Sequence, residues 1–360
     1  MSYPTRHNPD FQYPSPFLIS FIENMNISSS APIYLSSVPR SGATLLAAML
    51  NSHKHIAMFN EPWFFYMSQK YGTLRRQRNV NMILDDLCAA AKKFGIQLDG
   101  EFKGEVIAKI YGLKRAKALD AFAAFMESYS NRMGKSRWGV KQPFSILNIP
   151  ELLRYFPNLK VIHLIRDPRS TVAHRMGKAS NGREDLVQSL RFAKSWSDVM
   201  GQGGLLAEAC PENFLELKYE DMVSNQFMCL ARICQFLNEE YDPKMAEYYE
   251  TLNPYVPRDD NGNPLKSHDG LLLPVHTKDI EAWKSLLTPK EISLVERVCS
   301  QWMLRHGYSL STSNYEVGRL CVFVNNVCLR SWVAKRFPRR VLERIFHASR
   351  KAFIFLTHRS

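Results

Sequence analysis

The sequence predicts an α/β fold, a P-loop-like parallel sheet flanked by helices, and three observations carry that reading. Short apolar and β-branched runs recur along the chain, among them Ile33–Val38 and the apolar stretch from Leu159. They have strand length, and helical patterns separate them. The first run enters the Pro- and Gly-containing loop Pro39–Thr44 and then a strong helix-forming stretch, Leu45–Leu50. Several of these strands end in a cation, which is where open parallel sheets place their ligands.

The opening unit organises the rest. A helix that begins at a Gly-containing turn leaves its first N–H groups free and aims its positive dipole end at the loop, a site for phosphate or sulfate. Arg40 adds a forked, permanently charged donor at the same mouth. Strand-turn-helix units that bind nothing are also common, so the loop alone leaves anion binding open. It is not a Walker A loop, because no Gly-Lys-Ser/Thr closes it.

Bulk properties bound the function. The chain has 360 residues, 45% hydrophobic and 22% charged, an ordinary globular composition with ample material for a core. The net charge is +13, and the segment 315–360, with ten Lys/Arg against Glu316 and Glu343, supplies about +8 of it. The mildly basic remainder argues against a nucleic-acid binder and suits an anionic substrate. The seven cysteines are odd in number and form no C-x-x-C pair, which predicts reduced thiols and a cytoplasmic setting. No apolar run approaches the roughly 18 residues of a membrane span, and Pro16–Ile22 does not make a convincing signal peptide.

In chain order, residues 1–30 form a polar N-terminal arm with a short helix near Phe17–Asn24. Residues 31–312 form a single domain. After the loop and its helix comes a second strand ending at Glu61, and then the aromatic run Trp63–Tyr66, read either as acceptor-pocket lining or as core. Residues 80–134 alternate apolar and charged residues at helical spacing, a helical insertion broken at Gly100–Gly104. Arg137–Val140 is a short strand running through Lys141 into a Pro turn, and Ile146–Tyr155 is a helix. The strand from Leu159 ends in Arg166-Asp167-Pro168-Arg169, and a helix starts at Thr171. Leu186–Met200 is a helix with Trp196 in the core, Phe214–Asp221 a strand ending in an acidic turn, and Phe227–Leu237 a helix. Asn253–Leu273 is a long aperiodic loop, a lid or binding segment, and 279–306 holds two amphipathic helices. The basic amphipathic tail, 313–360, is helical. It suits either peripheral contact with an anionic membrane surface or acidic partner through 315–360, or packing on the body with a solvated basic face.

Arg40, Lys141 and Arg166 each stand at or just after a strand end. Three cations on one sheet edge are costly without an anion between them. The competing reading is local pairing, Arg166 with Asp167 for instance.

Three motifs, PRSGATLL, VKQPF and LIRDPRS, in this order and spacing resemble sulfotransferases that use 3′-phosphoadenosine-5′-phosphosulfate (PAPS), in particular the tyrosylprotein and carbohydrate group and its bacterial relatives. The resemblance covers about residues 31–310. It implies that Arg40, Ser41, Gly42, Ala43 and Thr44 hold the 5′-phosphosulfate, with Ala43 standing where a hydroxyl residue is usual. Glu61, 21 residues after Arg40, is similar in position to the catalytic base. Lys141 resembles the lysine that stabilises the transferring sulfonate, and Arg166 the arginine on the 3′-phosphate. His174 replaces the usual second 3′-phosphate ligand, a Ser, and can donate in its place. Tyr219 resembles an adenosine-side contact and Ser267 a serine near the sulfonate. A lysine usual before the later Trp is Ala282, so that 5′-phosphate contact is either missing or supplied by Lys278 or Lys284.

The resemblance implies sulfonate transfer from PAPS to an acceptor hydroxyl, with Glu61 as base and Arg40, Lys141 and Ser267 assisting, and with no metal. The acceptor expected is a glycan, lipid headgroup, small metabolite or tyrosine, with a bacterial cytosolic enzyme acting on one of the first three favoured over a secretory-pathway tyrosine modifier. Two other classes stay open: a nucleotide-dependent P-loop kinase, disfavoured by the missing Gly-Lys-Ser/Thr, and a non-catalytic binding protein docking through its basic tail.

Overall fold

The computed structural model describes residues 31–62, 77–113, 118–176, 185–250 and 270–311. The arm 1–30, the aromatic run 63–66, Ser267 and the tail 313–360 lie outside the described residues.

Five strands form one parallel sheet in the order β2-β3-β1-β4-β5. In chain order the elements run β1 (Ile33–Ser37), α1 (Ala43–Ser52), β2 (Ile56–Asn60), α2 (Gln77–Lys92), α3 (Gly100–Tyr111), α4 (Ala118–Arg132) and β3 (Arg137–Lys141). A 3₁₀ turn, Ser145–Asn148, precedes α5 (Ile149–Tyr155), and then come β4 (Lys160–Ile165), α6 (Pro168–Met176), α7 (Leu186–Ala209), β5 (Phe214–Lys218), α8 (Tyr219–Ser224) and α9 (Gln226–Leu237). The described chain closes with α10 (Trp283–Leu286) and α11 (Pro289–Arg305). The α/β expectation holds, and the insertion is the three helices α2–α4.

Both faces of the sheet are buried, which is why its strands read as continuous apolar runs. Along β1 the side chains alternate between two cores: Ile33 and Leu35 pack with α1 and α9, and Tyr34 packs with α4 and Trp138. Helix starts follow local chemistry. Asp99 and Asp185 accept from first-turn N–H groups of α3 and α7, and Thr288 with Glu291 forms a capping box at α11 behind Pro289.

Several boundaries differ from expectation. Gly104 sits inside α3, because the Asp99 cap starts the helix at Gly100 and apolar Phe102, Val106 and Ile110 hold its inner face. The acidic turn after β5 is the short helix α8. Helix α7 runs nine residues beyond Met200, to Ala209. Asp167 does not pair with Arg166: it binds Arg169, whose guanidinium also reaches Glu296 and stacks 3.9 Å from the Trp283 ring centroid. That buried group ties α6 to α10 and α11.

His163 lies in mid-β4, fully buried, opposite Glu216 of β5 and against Gly203 of α7. Burial pushes its imidazole down to about 3. No helix among the described residues is long and apolar enough to cross a membrane.

Candidate active site

The central strand β1 delivers the chain to the loop at the carboxyl edge of the sheet. There Arg40 takes a left-handed backbone, φ 71°, and Gly42 takes φ 86° as the N-cap of α1. A Cβ on Gly42 would lie 2.4 Å from Tyr219 Cδ2, so only glycine fits both the conformation and the space. No side chain caps α1, and its first-turn N–H groups stay available at the loop. Gly42, Ala43 and Thr44 all line a cavity of about 410 Å³. Ser41 is set back from it: its N–H donates to the Val38 carbonyl at 3.3 Å, and its hydroxyl is buried without a partner.

Lys141, the last residue of β3, is registered against Leu35 of β1 and Asn60 of β2. Past Asn60 the pairing continues one step, with the Glu61 N–H donating to the Lys141 carbonyl at 2.8 Å. Glu61 has φ 48°, a left-handed turn that ends β2. Its carboxylate accepts from Lys141 Nζ at 2.5 Å. Lys141 is buried, whereas the Glu61 side chain is 34% exposed, so the acid is the open end of the pair.

Arg166 follows β4 and is held from several directions. It donates from Nη1 to the Arg40 carbonyl at 3.1 Å and from Nη2 to the Asp279 carbonyl at 3.2 Å. Its guanidinium lies 4.2 Å from the Tyr219 ring centroid, and its Nη2 is 3.0 Å from His174 Nε2. Its own carbonyl accepts from Trp196 Nε1 at 2.9 Å. Tyr219 is thus wedged between the close approach of Gly42 and the guanidinium of Arg166. Burial, Arg166 and Arg175 all push the Arg40 guanidinium down from its usual value. Arg40 Nε and Arg166 Nε are buried with no protein partner. A crowded cation group with unspent donors, at an uncapped helix start, fits an anionic ligand with more than one charged group.

The structure therefore brings together Arg40, Gly42, Ala43, Thr44, Glu61, Lys141, Arg166, His174 and Tyr219, all on the lining of one cavity. Ser267 falls outside the described residues. Neither Lys278 nor Lys284 is on the lining, and Lys284 instead binds Glu281 at 2.6 Å. Among the lining residues that sequence reading missed, Val275, His276 and Asp279 belong to the strap 270–282 and Tyr248 precedes it, whereas Leu271 falls within the expected lid or binding segment Asn253–Leu273. Ser170 pins the strap through the Ile280 carbonyl at 3.0 Å, and Tyr248 through the Leu273 carbonyl at 2.6 Å. These anchors are backbone carbonyls, which leave no residue-type signal in a sequence.

His53, His55 and Glu239 form a grouping with metal-ligand reach near the amino-terminal edge of the sheet. Its imidazoles are already engaged. His53 Nδ1 accepts from the His55 N–H at 3.1 Å, His53 Nε2 meets the Glu240 carbonyl at 2.9 Å, and His55 Nδ1 binds Glu239 at 3.0 Å. This is a clasp between the α1–β2 turn and the segment after α9.

Comparison with known proteins points the same way. A profile of the sulfotransferase family matches residues 32–243. Protein-tyrosine sulfotransferase A of Caenorhabditis elegans is 23% identical over 293 residues, 80% of this chain and 70% of that one. Carbohydrate sulfotransferase 1 of Mus musculus is 23% identical over 176 residues, 44% of this chain and 41% of that one. Among solved structures, the sulfotransferase domain from the Synechococcus PCC 7002 olefin synthase superposes with a TM-score of 0.54 at 21% identity, covering 78% of this chain and 96% of that one. That likeness is one of fold.

Proposed function

This chain belongs to the sulfotransferase family, and from that premise we propose that it moves a sulfonate from PAPS to an acceptor hydroxyl, with Glu61 as base. The observation that carries the reading is the meeting of Arg40, Lys141, Arg166 and Glu61 on one cavity of about 410 Å³ at the α1 start. PAPS supplies an activated sulfonate and a bisphosphate leaving group. Arg40 and the N–H groups of α1 hold the 5′ side of it, while Arg166 and His174 hold the 3′-phosphate.

Glu61 takes the proton of the acceptor hydroxyl, a poor nucleophile until that proton leaves. Lys141 and Arg40 stabilise the charge that gathers on the bridging oxygen as the S–O bond breaks. This is the positioning and electrostatic logic of phosphoryl transfer. These cations carry the charge that a metal supplies in many phosphoryl transferases, so we propose a metal-free reaction. The acceptor approaches from the exposed side of Glu61, and a glycan, lipid headgroup or small metabolite is the class we favour. The five described cysteines are free thiols, which supports a reducing compartment.

The test is a transfer assay with radiolabelled PAPS and the full chain against sugars, phenols, lipids and tyrosine peptides. Label is expected on one acceptor class. PAPS that binds but passes its label to none of the four would overturn the transfer reading.

A further inference from the structure

Arg166 and His174 meet at the cavity wall in a way that only one protonation state of the imidazole permits. Arg166 Nη2 lies 3.0 Å from His174 Nε2. A guanidinium nitrogen only donates, so Nε2 accepts and the ring is neutral. An imidazolium there would offer no lone pair and would set two cations at hydrogen-bond distance. The free protein therefore holds His174 as a base, eight residues after Arg166 and on the lining of the same cavity.

An anion entering between them reverses that preference. A dianionic phosphate accepts from Arg166 and from an imidazolium at once, and it turns their mutual repulsion into two attractions. We propose, resting on the donor reading above, that His174 is a proton-taking ligand of the 3′-phosphate. It is imidazole in the free protein and imidazolium donating from Nε2 to a phosphate oxygen in the complex. The proton comes from solvent, no covalent bond changes, and Arg166 Nη2 exchanges the imidazole for the phosphate.

Charged groups surround His174 on several sides. Arg166 after β4 and Arg40 in the loop share its cavity lining, and Arg175, next to it on its own helix, lies close enough to act on Arg40. Asp279 and His276 of the strap, Tyr219 of α8 and Glu61 after β2 also line the cavity, and Asp279 and Glu61 are its acids. Helices α7, α10 and α11 also pack on α6. From them Phe192 lies against Arg175, Trp283 against Arg169, and Glu296 is spent on Arg169. The contact with Arg166 holds His174 neutral until a phosphate displaces it.

The experiment is isothermal titration of the full chain with adenosine 3′,5′-bisphosphate (PAP) at pH 8, in buffers of different ionisation enthalpy. At that pH both phosphates of PAP are already dianions, their second pKa being about 6, so proton uptake reports the protein. The wild type is expected to take up close to one proton per PAP, and its Kd to rise by up to about tenfold per pH unit above neutrality. His174→Ser and His174→Gln are expected to bind PAP with no uptake at that pH and a Kd that is flat between pH 7 and pH 8. PAP binding to the wild type without proton uptake overturns the proposal, as does uptake that persists in both variants. A wild type that does not bind PAP overturns the donor reading itself, and is distinguished by that.

Discussion

Glu61 and Lys141 hold each other twice. Lys141 Nζ donates to Glu61 Oε1 at 2.5 Å, and the Glu61 N–H donates to the Lys141 carbonyl at 2.8 Å. The side-chain pair engages one of the two carboxylate oxygens that a base could use. On the proposed reaction, a sulfonate bound beside Lys141 would compete for its ammonium and free that oxygen for the acceptor. Glu61→Gln weakens the hold on Lys141 without emptying the site. We expect PAPS affinity to be kept or improved while turnover falls about 10²-fold or more. Binding titrations and single-turnover assays check the two halves separately, and unchanged turnover in the variant would assign the proton transfer elsewhere.

Arg166 binds with its geometry as much as with its charge. It spans the Arg40 carbonyl, the Asp279 carbonyl and the Tyr219 ring. Lysine keeps the charge but cannot fork or stack. Arg166→Lys should lose about tenfold or more in PAP affinity, at about 1.5–3 kcal/mol for a charged hydrogen bond. Calorimetric titration measures it, and a lysine variant that binds as well as wild type would reduce the site to a point charge.

Gly42 carries both a backbone and a packing requirement. Its φ of 86° costs an L-residue about 1–2 kcal/mol, and the Tyr219 ring occupies the place of a Cβ. Gly42→Ala should lower stability by about that amount or more and weaken PAP binding by displacing Tyr219 from Arg166. Tyr219→Ala removes the overlap but also a buried ring, so urea unfolding of the single and double variants should show losses that are less than additive, with no recovery of binding.

His163 makes the fold acid-sensitive. Its folded value near 3 lies below the ordinary 6.5, so folding favours the neutral ring. The sign follows: this contribution is complete above pH 6.5 and is lost as pH falls from there towards 3. By pH 5 the loss is roughly 2 kcal/mol. Urea midpoints at pH 7 and pH 5 should show it, and His163→Val, which suits a buried strand and cannot titrate, should remove most of the difference.

What was legible in the sequence follows from what leaves a residue pattern. Apolar runs ending in Arg40, Lys141 and Arg166 placed three cations at strand ends, and the parallel sheet makes those ends converge. The strand order that sets β3 and β4 on either side of β1 was not legible, because each strand is buried on both faces and matches any neighbour equally well. The pairing of Asp167 escaped for another reason. Arg166 and Arg169 stand one and two residues from Asp167, on either side of it, and only the turn into α6 selects Arg169. Trp196 was read as core and is core, yet its indole N–H also fixes the Arg166 carbonyl. Beyond Leu273, where the expected lid or binding segment ended, the strap that covers Arg166 was hidden because its anchors, at Asp279 and Ile280, are carbonyls.

The position of β2 at the edge of the sheet has a consequence for how such a protein can diversify. Glu61 closes that edge strand, and the chain from Pro62 to Ser136 returns as β3 only after α2–α4. Glu61 therefore stands at one seam of a contiguous cassette, and Lys141 at the far end of the strand that follows the other seam, while Arg40, Arg166 and Tyr219 lie outside it. A single genetic exchange between these seams would replace a block of chain beside the acid and leave the anion-holding arginines untouched.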